Sequence, residues 1–503
     1  MKKIISILSL LLSASLAITA QKNVGDLDKK IKEFDAYTQQ ALKQWEVPGA
    51  GVAVIKDGKV IYIKAFGTRN LDTGAPANTE TLFSIGSTTK AMTAVCIGML
   101  VDEGKLKWSD PVVKYLPEFQ LYDPFVTRDL KIRDLLIHDS GLGNTDFLWG
   151  LMDIPESEIL ARMRMVKPTY SLRDGFIYQN IFYIAAGQVI ERVSGKTWAT
   201  FITERIFNPL SMTRTATKLK AIKDDNYTKP HMKYDGKIQV ILHTKDDAVG
   251  AAGSVWSSIT DMAKWTVCML DSSKYAGGRL LNKGTWMEMF KPQTLVTSGE
   301  FYPTQRLTKP NWMTYGLGWF QHDYKGHKIN FHTGSLNGLI ALHAQLPDQN
   351  LGYYFLGNYD HAEVRHALMY KTFDLFSLGG NRDWSSEFKT LYDGIREGGQ
   401  KQLEKMESQR VLNTKPTLPV SAYAGKYTDP LYGEIEITAT ETGLRMNINQ
   451  FAFANLEHWN YDTFYGKWDR AWDGKVWAQF LLSPTGKVDR ISVEGIEMRK
   501  TGY

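Results

Sequence analysis

Three short stretches, far apart in the chain, carry residues that could do chemistry together. The first is Phe83-Ser84-Ile85-Gly86-Ser87-Thr88-Thr89-Lys90. Ser87 and Lys90 are three apart, so on a helix they share a face. A serine at a helix start lies among unpaired backbone N–H groups and positive dipole potential, which suits an oxygen that becomes an anion. A lysine beside it, among alanines and methionines, is partly desolvated and close to the same positive end; both effects lower its pKa. A neutral amine next to a hydroxyl can take its proton and make serine a nucleophile without histidine. The spacing alone is weak evidence, because Ser386-Glu387-Phe388-Lys389 repeats it in a charged segment that reads as a solvated helix face.

The second stretch is Phe176-Ile177-Tyr178-Gln179-Asn180. Two residues apart in an extended loop, Tyr178 and Asn180 point the same way. A tyrosine near a deprotonating serine can shuttle its proton, and an asparagine can hold a substrate amide. Read alone, they are better taken as a half-buried aromatic and a helix N-cap. The third is His332-Thr333-Gly334-Ser335, at the end of a strand. Glycine there permits close approach of a ligand backbone, and a neighbouring N–H could complete an oxyanion hole with that of Ser87. The spacing of His322, His327 and His332 fits neither a helix face nor a strand face, and no H-E-x-x-H pair exists, so neither a metal nor a cofactor is expected. His138, before Ser140-Gly141, reads as a structural cap at a helix end.

These residues need elements to hold them. After Ser87, Ala91, Met92, Ala94, Val95, Ile97, Met99 and Leu100 predict a helix buried nearly all round, ending at Gly104. Residues 25–44 predict an amphipathic helix, and 51–63 a hairpin about Asp57-Gly58. Short helices are expected at 110–117 and 132–142, and longer ones at 184–193, from Ser258 or Thr260 to Leu270, and around 286–290. Strands at 315–320, 329–334, 340–346 and 351–356 continue the sheet begun at Val52. Residues 383–410 are highly charged on a sparse apolar stripe, Lys415 to Pro419 is a linker, and short strands and turns beyond it predict a small antiparallel barrel or sandwich.

The 503 residues allow a large domain and a smaller one. Lys2 and Lys3, the apolar run from Ile4 to Leu16 and the small residues to Ala20 read as a signal peptide, too short to favour a membrane span. That segment holds two lysines and no acids, so without it the formal charge falls from +6 to +4, too mild for nucleic acid. Cys96 and Cys268 sit in apolar helical contexts and read as packing residues. An exported chain that relies on its core fits a bacterial periplasm or secretion.

Together the three motifs resemble the serine hydrolases of the class C β-lactamase and penicillin-binding protein family, with their D-aminopeptidase and esterase relatives. Ser87-Thr88-Thr89-Lys90 matches Ser-x-x-Lys, Tyr178-Gln179-Asn180 matches Tyr-x-Asn, and His332-Thr333-Gly334 matches Lys/His-Thr/Ser-Gly. The segments Arg133 to Leu142 and Asn208 to Met212, and Gly253 with the Asp261 helix, agree too, over roughly residues 25 to 380. The resemblance implies an α/β (α+β) fold: an antiparallel sheet flanked by helices, with a helical subdomain. It implies that Ser87 is acylated, that Lys90 and Tyr178 exchange its proton, and that Asn180 holds substrate and Lys90. The N–H groups of Ser87 and Ser335 would form the oxyanion hole, with His332 and Gly334 at the substrate. True class C β-lactamases have lysine at the position of His332; neutral histidine anchors a carboxylate less well and resembles the D-aminopeptidases and esterases. The tail resembles the lipocalin-like domain of some relatives, which shapes the cleft or mediates homo-oligomer assembly.

The expected organisation is a signal peptide at 1–20, a hydrolase domain at 21–382, a charged helix and linker at 383–419, and a barrel at 420–503. The expected substrate is a small amide or ester, including a short peptide with a D-residue. A penicillin-binding or sensor protein without turnover, or a weak β-lactamase, is the alternative. Neither nucleic acid nor a membrane span after signal removal is expected.

Overall fold

The computed structural model describes residues 25–243 and 249–501; the expected signal peptide lies outside them. Its frame is a nine-stranded antiparallel sheet. Gly49–Lys56 pairs on one side with Lys59–Asn70 and on the other with Leu351–Gly357, so the first hairpin joins the late strands. Leu339–Leu346, His327–Leu336 and Phe320–Tyr324 follow outward in that order.

Both faces of the sheet are covered. Along Gly49–Lys56, Ala53 and Ile55 enter the core that contains the Ser87 helix, while Val52 and Val54 enter the opposite core. That alternation is the period of two expected of a strand, but both positions are apolar because each face meets helices. The first core packs the Thr89–Asp102 and Ile259–Leu270 helices against the sheet. The second holds the 25–44 helix and Val364–Phe373, with Trp384 and Phe388 from the long helix Trp384–Ser408. Every residue from Thr89 to Leu100 is buried, as the unbroken apolar run requires.

Some local expectations are corrected. Residues 132–142 do not form a helix: only Asp134–Leu136 makes a 3-10 turn, and His138 takes φ +62°, which no right-handed helix admits. In 110–117 only Val112–Lys114 turns helically. Cys96 and Cys268 are buried and unbridged, as expected of packing residues.

Beyond the long helix, eight strands from Gly425 to Thr501 close into an antiparallel barrel. Two of them, Ala452–Asn460 and Ile496–Thr501, are not evident from sequence. Arg162 donates to the Leu431 carbonyl at 2.8 Å, and Asn449 Nδ2 to that of Leu151 at 3.3 Å. The barrel is thereby fastened to the 144–153 segment and to the Glu156–Arg162 helix that follows it. Among the described residues no helix is long and apolar enough to cross a membrane.

Candidate active site

The Ser87 turn is held by its glycines. Gly86–Thr88 is a 3-10 turn that feeds the helix beginning at Thr89, so Ser87 stands just before the first helical residue. Gly86 has φ +49°, and a Cβ there would lie 2.9 Å from the Ser335 nitrogen. A Cβ on Gly334 would come within 2.0 Å of the Ile85 carbonyl oxygen. Only glycine at both positions lets the edge of the His327–Leu336 strand press against the serine turn. The Ser335 N–H is thus brought against Gly86, the residue before Ser87.

Lys90 is fully buried. Its Nζ lies 2.9 Å from Ser87 Oγ, 2.6 Å from Asn180 Oδ1 and 2.9 Å from the Ala252 carbonyl oxygen. Burial pushes its pKa down to about 7, although the Asp146 carboxylate pulls the other way. A neutral amine has two hydrogens and one lone pair. The amide and carbonyl oxygens can only accept, so they take both hydrogens, and the lone pair is left facing the Ser87 hydroxyl. That arrangement can take the serine proton.

Asn180 fixes this orientation. Its Nδ2 donates to both oxygens of Asp146, at 2.9 and 3.0 Å, which turns Oδ1 toward Lys90. It begins the Ile181–Ser194 helix without capping it. Asp146 in turn accepts from Trp149 Nε1 at 2.8 Å and from Asn144 Nδ2 at 3.2 Å. Sequence reasoning missed Asp146, Ala252 and Trp149. An aspartate two residues after an asparagine in a loop looks like any turn, and a backbone carbonyl leaves no trace in residue type.

Tyr178 stands over this group, its ring centroid 4.9 Å from Lys90 Nζ. Burial drives its pKa well above the usual phenol value, although Ser87 lies close enough to favour the anion. Among the described residues the buried hydroxyl has hydrogen-bond geometry to no partner, Ser87 included. Tyr178 is therefore a neutral hydroxyl, suited to relay a proton, whereas Lys90 is the base. His138, expected to be a cap, packs its ring 4.3 Å from that of Tyr178 and accepts the Gln179 N–H on Nδ1 at 3.0 Å. It holds the tyrosine segment in place.

His332 lines the cleft, but neither ring nitrogen is free. Nδ1 donates to the Thr333 carbonyl at 2.6 Å, so Nε2 accepts the Tyr315 hydroxyl at 2.8 Å. Burial and then Lys90 lower its pKa to about 3, which keeps it neutral. The polar substrate contact expected of it is not offered in this geometry. Arg365 acts behind the strand: Nη1 donates to the Gly334 carbonyl at 2.7 Å and to Ser335 Oγ at 2.9 Å. The Gly334 carbonyl belongs to the same peptide as the Ser335 N–H, so a cation on its oxygen strengthens that N–H as a donor. Burial favours a protonated Glu363, but Arg365 and His366 outweigh it and hold the carboxylate ionised. The segment between 290 and 315 supplies Phe301 and Tyr302, the latter sharing a 2.6 Å hydrogen bond with Thr333 Oγ1. These walls enclose a cleft of about 540 Å³ at Ser87.

An antiparallel sheet between helical layers, with serine, lysine, tyrosine and asparagine meeting at one sheet edge, defines the β-lactamase/transpeptidase class of fold. A model of the Beta-lactamase family matches residues 34–372, and the chain belongs to that family. A second model, described as a domain of unknown function (DUF3471), matches residues 409–501, the barrel. Unguisins hydrolase ungD of Aspergillus violaceofuscus is 27% identical over 90% of this chain and 86% of its own length. Protein flp of Staphylococcus aureus is 24% identical over 65% of this chain and 63% of its own. The octameric penicillin-binding protein homologue from Pyrococcus abyssi superposes with a TM-score of 0.63 at 21% identity, covering 93% of this chain and 100% of that one. A penicillin-binding protein from Bacillus halodurans does so at 0.55 and 20% identity, over 66% of this chain and 98% of that one.

Proposed function

We propose that the chain is an exported serine hydrolase that cleaves a small amide or ester through an acyl-enzyme. The observation that carries the reading is the buried Lys90 Nζ held 2.9 Å from Ser87 Oγ. As Oγ attacks the substrate carbonyl, its proton passes to Lys90. The carbonyl oxygen becomes an anion between the Ser87 and Ser335 N–H groups. When the intermediate collapses, the scissile bond breaks and the leaving amine or alcohol takes the proton from Lys90 through the Tyr178 hydroxyl. Water then adds to the Ser87 ester, gives a proton to Lys90 and releases the acid, and Ser87 recovers its hydrogen.

The relative named as a hydrolase supports turnover. Neutral His332 supplies no cation for the carboxylate of a β-lactam, and Arg365 is committed to Glu363, which favours uncharged esters and amides, including peptides with a D-residue. The composition of residues 1–20 supports export. A fluorophosphonate probe followed by intact mass should add one label, lost in Ser87→Ala. Equal labelling of that variant would overturn the reading.

A further inference from the structure

Beside the catalytic cleft lies a second cavity of about 390 Å³, a size typical of small-molecule sites. One side of it is the open mouth of the barrel. Ile435 lies near the start of a strand, Ile448 ends the next, Ala452 begins the third, Val493 ends a later one and Ile496 begins the last. In an antiparallel barrel these positions fall at one end. Ile435, Ile448, Ala452 and Val493 are buried, so this mouth is an apolar cup. The other side is the 144–153 loop, with Phe147, Trp149 and Leu151.

Asp146, Trp149 and Asn337 line both this cup and the Ser87 cleft. Trp149 also borders the small hollow against Ser87, Asn180 and Ser335. The two spaces therefore share a wall, and in it the Trp149 indole stands between the nucleophile and the barrel. On the barrel side the polar groups, Asn449, exposed Glu494 and the Arg470–Asp473 pair at 2.7 Å, come from turns rather than from the strands that form its floor, while Asn144, Asp146 and Asn337 edge the opposite side.

We infer that the barrel mouth is an apolar subsite of the hydrolase, which receives an alkyl or other apolar chain of the substrate while the scissile carbonyl sits at Ser87. The inference rests on the hydrolase reading above and names its substrate class: amides or esters that carry an extended apolar chain. Such a chain can enter from the acyl side or from the leaving group.

The test uses the full-length protein. One arm compares kcat/KM for p-nitrophenyl acetate, butyrate and octanoate; the other compares methyl and octyl acetate by pH-stat. In at least one arm the longest chain should exceed the shortest by about tenfold or more, since an apolar pocket discriminates by that much for each one or two methylenes. Ile496→Trp and, separately, Ala452→Phe fill the cup and should bring that ratio down toward unity. Titration calorimetry of octyl acetate into Ser87→Ala supplies a readout independent of turnover: saturable binding is expected, and Ile496→Trp in that background should abolish it. Ratios near unity in both arms with Ser87-dependent turnover intact overturn the subsite and leave the hydrolase standing. So does a folded Ile496→Trp with an unchanged ratio, or absence of binding to Ser87→Ala. Absence of all Ser87-dependent turnover instead overturns the hydrolase reading, which separates the two failures.

Discussion

Asp146→Asn should move the acid limb of the pH–rate profile to lower pH. Catalysis needs Lys90 neutral, so kcat/KM should rise with pH through a limb near the Lys90 pKa of about 7. Burial sets that value, and the Asp146 charge holds it up. Hydrogen bonds of 2.6 and 2.9 Å on either side of the Asn180 amide place the two charges about 7 Å apart. At that separation Coulomb's law gives about 2.4 kcal/mol with an effective dielectric of about 20, and about 0.6 kcal/mol in water. Asp146 is half-buried, so the pair falls between these limits. Removing the charge should lower the Lys90 pKa by roughly one unit. The amide oxygen introduced by the substitution can still accept one Asn180 N–H, so orientation is largely kept while charge is lost. The assay is kcat/KM for p-nitrophenyl acetate from pH 5 to 9 in both proteins, since that ratio reports the free enzyme. A limb that stays in place or moves up would refute the assignment of Lys90 as the titrating base beside Asp146.

Two further outcomes follow from the same geometry. Gly86→Ala should cost about 1–2 kcal/mol of stability from its positive φ and lower kcat/KM by about 10²-fold, because its Cβ, 2.9 Å from the Ser335 nitrogen, pushes the two N–H donors apart; thermal melting and ester kinetics read both. Stability should fall in acid. Burial lowers His322 to about 4, and His332 and His343 to about 3, from 6.5. Above about pH 6.5 all three are neutral whether folded or not; below it the unfolded chain binds protons that the native state refuses, at up to about 1.4 kcal/mol per pH unit for each. Urea midpoints should therefore drop between pH 7.5 and 5.5, and His343→Phe, between Trp319 and Tyr354, should remove one histidine's share of the drop.

Much of the frame is readable along the chain. The Thr89–Asp102 helix, the strands from Gly49 to Leu356 and the barrel's alternation follow from periods of 3.6 and 2 that neighbouring residues carry. The order of Ser87, Lys90, Tyr178, Asn180 and Gly334 is legible for the same reason: each lies in a short stretch with its own signature. His138 escapes that kind of reading, because a segment that looks helical must turn at φ +62° to bring its ring under Tyr178.

Tertiary structure alone decided which groups complete the site. Nothing in the sequence says that Asp146 clamps Asn180, that the Ala252 carbonyl takes a Lys90 hydrogen, or that Arg365 grips the Gly334 carbonyl. These partners lie 31 to 162 residues apart in the chain, and hydrogen bonds at such separation leave no period to detect. The barrel mouth is the extreme case: its residues pack as an ordinary apolar interior, and only docking against the 144–153 loop turns its open end toward the serine.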